Sequence, residues 1–163
     1  MFRELRRKNQ LLSEKESIDI LNRNTSGTLA CTGDNGYPYA VPLSYVYSDG
    51  KIYFHCAVEG HKLDAIKCNS KVSFCVIDTD DVLPEKFTTR YRSVIAFGKA
   101  RIIEDKIEKR RTLEILAKKY SPNDDAGIEK EINGAIDRTC MVEIDIEHMT
   151  GKEGIEFTRM RNS

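Results

Sequence analysis

Chemistry-bearing side chains gather in one short stretch, "YFHCAVEGHKLDAIK", Tyr53 to Lys67, which holds His55, Cys56, His61 and Lys62. Its first half, Tyr53 to Cys56, alternates aromatic with small or polar residues, as a strand does. In its second half Leu63 and Ile66 stand three apart on one helical face. Glu59-Gly60 lies between the two halves and marks a turn. A helix that starts near Gly60 directs its free N–H groups and the positive end of its dipole into that turn. Gly60 lets the backbone come close to an anion. With the cation of Lys62 and the ring donors of His61 added, the corner has the makings of a phosphate cradle. The alternative is that both side chains are simply solvated, and the local residues do not separate the two.

Other chemistries fit less well. His55, Cys56, His61 and Cys68 could offer nitrogen and sulfur to a metal, but their spacing matches no zinc pattern. His55 and Cys56 are adjacent on a strand and point to opposite faces, so they do not readily share one ion. No cysteine is paired with an orienting histidine and acid for nucleophilic work. A further oddity lies in "YPYAVPLSYVY", where Pro38 and Pro42 fall inside a strand-like run. Proline gives no N–H to a ladder, so this strand is expected at an edge. Part of its backbone could also face a ligand, and the two readings are compatible.

The bulk composition bounds what must position these residues. At 163 residues and 40% hydrophobic content the chain can bury one sizeable core, so a single domain over 1–163 is expected. Lys+Arg and Asp+Glu balance at 26 each, which argues against nucleic acid or an anionic membrane as partner. No apolar run reaches the length of a membrane span. The opening "MFRELRRKNQLL" is basic but lacks the apolar centre of a secretion signal. Cys31, Cys56, Cys68, Cys75 and Cys140 are odd in number and never spaced Cys-x-x-Cys. That pattern suits reduced thiols in the cytoplasm.

Along the chain, Ser13 and Glu16 stand at capping-box spacing ahead of Ile18 and Leu21, predicting a short helix. "SGTLACT", "YPYAVPLSYVY" and "KIYFHCAV" then read as strands, separated by Asn35-Gly36 and Ser48-Asp49-Gly50, and predict a three-stranded meander. "KVSFCVID" reads as a fourth strand and "TTRYRSVIAFGKARII" as a long fifth, with Gly98 permitting a bulge. Leu113, Leu116, Ala117 and Tyr120 mark one helix, Ile128, Ile132 and Ile136 another, and "TCMVEIDIEHM" a last strand. The tail "TGKEGIEFTRMRNS" has the least definite pattern. Six strands in mostly antiparallel order, with helices between them, suggest a small barrel rather than a doubly wound sheet.

The run "NGYPYAVPLSYVYSDGKIYFHCAVEGHKLDAIKCNSKVSFCV" with "YRSVIAFGKARII" resembles the pyridoxamine 5′-phosphate oxidase-like FMN-binding split barrels. Within them it is most similar to the nitroimidazole-resistance (Nim) branch, with the "YFHxAxxGxK" element of Tyr53 to Lys62 as its most specific part. The resemblance implies a fold that is mainly β with α: a six-stranded antiparallel split barrel, forming a homodimer with FMN at the subunit interface. By position, Val41, Pro42, Leu43 and Ser44 would run along the flavin ring and ribityl chain. His55 and Cys56 would line the same pocket, and His61 and Lys62 would hold the 5′-phosphate. Ser93 falls where the family places a polar contact to the ring. His55 falls on the substrate side of the flavin, where a neutral imidazole could contact substrate or deliver a proton.

The chain also departs from the pattern. Oxidases that make pyridoxal phosphate carry basic residues where this chain has Val41 and Val46, and they end in a tryptophan-and-arginine motif. This chain has no tryptophan. Synthesis of pyridoxal phosphate is therefore not expected, and the phosphate has fewer cationic partners unless Arg90 or Arg92 reaches it. The expected activity is that of an FMN-dependent oxidoreductase reducing a small acceptor such as a nitroaromatic. The alternative is a non-catalytic protein of the same fold that stores or senses flavin or haem.

Overall fold

In a computed structural model covering residues 1–163, the helix expected after Ser13 forms as α1 (Glu14–Arg23). The Glu16 N–H donates to the Ser13 hydroxyl at 3.2 Å and the Ser13 N–H donates to the Glu16 carboxylate at 2.8 Å. Both halves of the capping box are thus made, and Ser17, Ile20 and Leu21 turn inward. β1 (Ser26–Thr32) and β2 (Pro38–Ser44) follow, joined through Asn35 and Gly36 at φ 56° and 76°. β3 (Val46–Ser48) and β4 (Lys51–Ala57) are joined through Asp49 and Gly50 at φ 48° and 77°. These paired positive φ values are the hairpin conformation that Asn-Gly and Asp-Gly supply. The chain continues through α2 (His61–Cys68), β5 (Lys71–Leu83), β6 (Thr88–Ile102), α3 (Lys106–Tyr120), α4 (Asp125–Ala135), β7 (Thr139–Glu153) and α5 (Ile155–Asn162).

The strands form one antiparallel sheet of seven, in the order β2-β1-β5-β6-β7-β4-β3, so the expected count of six is one short. The extra strand comes from "YPYAVPLSYVY", which breaks at Tyr45. Its first part pairs only with β1 and its second with β4, at opposite ends of the sheet, so the meander does not form. Tyr45 holds the break. It is fully buried, its hydroxyl donates to the Leu21 carbonyl at 2.7 Å, and its N–H donates to the Tyr120 hydroxyl at 3.0 Å. Its ring meets Phe74 edge-on at 5.0 Å. Alternation of apolar and polar residues continues across such a break, because changing partner does not disturb the period of two.

One residue, Tyr45, therefore connects strands from the two ends of the ladder, and the sheet must roll until those ends meet. The ladder does not close there. β3 pairs with β4 only from Lys51 to Tyr53, which leaves Phe54 to Ala57 without a strand on that side. A slot remains between the outer edge of β2 and the far half of β4.

Two apolar cores flank β4. Ile52 and Phe54 face the barrel interior with Leu29, Phe74, Val94 and Val142. Tyr53 faces outward, where Met141, Leu113, Leu116, Ile128 and Ile132 pack α3 and α4 against the barrel. Gly98 marks a register shift between β6 and β7, as its position suggested. A Cβ there would collide with the Asp145 carbonyl. The C-terminal segment is more ordered than its pattern indicated. β7 runs on to Glu153, whose buried carboxylate meets Arg92 at 3.2 Å and Arg161 at 3.0 Å. No helix is long and apolar enough to cross a membrane.

Candidate functional site

β2 forms one wall of the slot, and its backbone explains the prolines. The Gly33 N–H donates to the Tyr37 carbonyl at 2.7 Å, which marks a hydrogen-bonded pair at the hairpin. Such pairs recur at every second residue, so Tyr39, Val41 and Leu43 bond to β1. Pro38 and Pro42 occupy the other positions, where an N–H would face away from β1. They cost the ladder nothing, and the edge-strand reading holds. The half-buried side chains of Tyr39, Val41 and Leu43 pack on the inner core, while Pro42 and Ser44 are exposed.

At one end of β2 lies the α2 corner. Gly60 is the N-cap of α2 at φ 142°, a conformation rarely open to side chains, and a Cβ there would meet nothing within 4 Å. Its carbonyl accepts from the N–H groups of Leu63 at 2.9 Å and Asp64 at 3.2 Å, and no side chain caps the helix. The first-turn N–H groups of His61 and Lys62 thus project from the helix start. The His61 ring leans on Tyr39 with centroids 4.2 Å apart, and its Nε2 lies 3.8 Å from the Asp34 carboxylate. Lys62 is half-buried and lies near Cys56. Burial, with Cys140 adding to it, pushes the Cys56 thiol up to about 11 against the opposing pull of the Lys62 ammonium. The thiol is therefore protonated near neutral pH and a poor nucleophile.

At the other end of β2, Ser44 and His55 line a cavity of about 340 Å³ roofed by α3 and α4. Leu113, Leu116, Tyr120 and Ile132 form much of its wall. His55 and Cys56 thus take opposite faces of β4, Cys56 with Lys62 and His55 with Ser44. From Tyr39 to Ser44 the two ends stand about 17 Å apart at the usual strand rise.

Ser93 belongs to neither end within one chain. It pairs with Ile77 and Lys152 in mid-sheet, on the outer face, level with the start of β1 rather than with its hairpin. Arg90 and Arg92 do not reach the corner either. Arg90 is bound to Asp81, while Arg92 pairs with Glu153 and lies 4.2 Å over the Phe157 ring. The sequence reading missed Tyr39 as the support for His61, and it missed the helical roof. Leu113, Leu116 and Tyr120 showed a helical apolar face, but periodicity does not say what such a face covers.

A split antiparallel sheet with a glycine-led helix start and a slot along a proline-bearing edge strand defines the class of fold, an open rolled barrel. The sequence model of the pyridoxamine 5′-phosphate oxidase family matches residues 13–153, and the chain belongs to that family. Solved structures agree. A Bacteroides thetaiotaomicron protein provisionally named for 5-nitroimidazole antibiotic resistance is 22% identical with a TM-score of 0.73, over 88% of this chain and 86% of that one. A FAD-binding protein from Mesorhizobium loti is 25% identical with a TM-score of 0.64, over 89% and 97%. The FAD and haem binding protein of Mycobacterium smegmatis is 20% identical with a TM-score of 0.75, over 96% and 81%. No curated protein matches by sequence.

Proposed function

We propose that this chain binds FMN in the slot between β2 and β4 and serves as an oxidoreductase for a small acceptor. The observation that carries the reading is the α2 corner: an uncapped helix start behind Gly60, flanked by His61 and Lys62, at one end of the slot. The residues present suit a flavin mononucleotide. The first-turn N–H groups and the Lys62 ammonium offer donors to a 5′-phosphate. The outward-facing backbone of Pro38 to Ser44 can follow the ribityl chain, and Val41, Pro42, Leu43 and Ser44 give it a wall. The bound flavin would supply the electron or hydride transfer.

The chain's own residues do the rest. Tyr39 holds the His61 ring against the corner. His55, exposed on β4 at the far end, is placed to donate a hydrogen bond or a proton to an acceptor beside the ring. Cys56 lines the slot from the opposite face of β4 as a neutral thiol. Ser93 meets a flavin only if a second copy brings it there. Ile77, Ile95 and Phe97 beside it are 63%, 40% and 38% exposed, an apolar outer face suited to a homodimer. A second reading, a non-catalytic flavin or haem store, draws on the M. smegmatis neighbour's name.

The absorption spectrum of the purified protein tests this, taken as isolated, after heat release of any chromophore and after added FMN. Released FMN and bleaching by NAD(P)H without oxygen support the oxidoreductase. Released FAD corrects the cofactor, a Soret band favours haem, and a flavin that no donor reduces favours storage. A colourless protein that ignores added FMN ends the proposal.

A further inference from the structure

We propose that the cavity beneath α3 and α4 is a binding pocket for a neutral, flat compound of one or two rings, oriented by a hydrogen bond from His55 and sized by Ala117 and Ala135. The proposal deepens the oxidoreductase reading, and rests on it for the reaction but not for binding.

The wall decides the chemistry. Leu113, Leu116, Ile132 and Ile136 make it largely apolar, and it carries no lysine or arginine. Glu131 is its one acidic residue, so an anionic ligand finds no lysine or arginine to pair with and meets a like charge. Of the polar side chains, two are already engaged. The Tyr120 hydroxyl accepts from the Tyr45 N–H at 3.0 Å and lies 2.6 Å from the Thr25 carbonyl it can donate to. The Thr139 hydroxyl donates to the Ala135 carbonyl at 2.8 Å. Neither the His55 ring nor the Ser44 hydroxyl bonds to the protein, and both stand where β4 and β2 open onto the cavity. A nitro or carbonyl oxygen on a flat ring suits an imidazole donor at the edge of apolar walls.

Size narrows the class. About 340 Å³ is near the low end for ligand pockets, which run from about 300 to 1,000 Å³. It admits one or two rings, and it is too small for a three-ring flavin and its acceptor together. Ala117 on α3 and Ala135 on α4 line the space from separate helices, so a larger side chain at either one fills it.

The experiment is calorimetric titration of 5-nitroindole, a neutral two-ring probe, and of anionic 4-nitrobenzoate into wild type, Ala117→Phe, Ala135→Trp and His55→Ala, with FMN titrated in parallel. Wild type should take 5-nitroindole about tenfold more tightly than 4-nitrobenzoate. Each filled variant should lose about tenfold in 5-nitroindole affinity with FMN affinity unchanged, and His55→Ala about fivefold. Two variants on different helices guard against one that fails to fold, which melting curves would show. The proposal is overturned if wild type ignores the probe or if a folded filled variant binds it normally. Loss of FMN affinity in the filled variants also overturns it, since the cavity would then hold the ring. If wild type binds the probe but no flavin, the pocket stands and the oxidoreductase reading falls.

Discussion

The α2 corner and the chamber at His55 lie at opposite ends of β2 and are built in different ways. The corner is local: Gly60, His61 and Lys62 are consecutive, and only the β1–β2 hairpin, with Tyr39 and Asp34, comes from elsewhere to hold the His61 ring. The chamber is assembled from β2, β4, α3, α4 and the first residue of β7, which distant parts of the chain supply. An anion can be recognised by a few adjacent N–H groups and one cation, because each donor acts strongly over a short range. A flat apolar ligand has no such handle. It needs walls on several sides, and no single segment can fold around it.

Tyr45 lies just past the chamber end of β2 and joins the two ends of the sheet, so removing it should have the largest effect. Tyr45→Ala empties a fully buried site and removes the hydroxyl bond to Leu21, and should cost about 3–5 kcal/mol in chemical denaturation. Tyr45→Phe keeps the packing and should cost about 1 kcal/mol. If the alanine variant costs no more than the phenylalanine one, the seam is not where the two ends are fixed.

The next two predictions separate the ends. His55→Ala should slow turnover about 100-fold while FMN affinity stays within about twofold. Lys62→Ala should do the reverse, weakening FMN about tenfold in a fluorescence titration with melting temperature unchanged. A lysine variant with unaltered affinity would remove the phosphate assignment. If His55→Ala weakens FMN and leaves turnover intact, the two ends have been assigned the wrong way round.

The smallest effect concerns acid. Glu143 lies on the outer face with Tyr53 and is 3% exposed at its side chain. Burial alone would raise its pKa, but hydrogen bonds from Arg101 and from Lys51 at 2.9 Å override that and hold it below the usual carboxylate range. A depressed folded-state pKa stabilises the fold above the unfolded value near 4.5, and that contribution is lost as pH falls through the folded value. Arg101 also binds Glu108 on α3, so acid that protonates Glu143 should loosen the chamber roof. Stability measured from pH 6 down to 3 should fall less steeply in Glu143→Gln than in wild type. Equal slopes would show that other carboxylates carry the acid sensitivity.

Much of the fold was legible because its signals are short-range. Ser13 and Glu16 gave the cap of α1, Asn35-Gly36 and Asp49-Gly50 gave both hairpins, and Gly98 gave the bulge. Among the candidate site residues, Lys62 beside Gly60 was readable for the same reason. The misses were all questions of partner. The run through Tyr45 looked like one strand because both halves keep the same alternation while they pair at opposite ends of the sheet. The order at the C-terminus depends on Glu153 meeting Arg92 and Arg161, a junction no local pattern shows.

By itself the sequence determined the local conformations: which segments turn, cap or alternate, and where an anion could meet a helix start. Those follow from φ preferences, side-chain period and backbone donors, all of which act within a few residues. Only the tertiary structure decided that β2 and β3 part company at Tyr45, that His55 meets Ser44 at the cavity, and that α3 and α4 roof the chamber. Those choices depend on which apolar faces bury one another, a free energy summed over residues far apart in the chain.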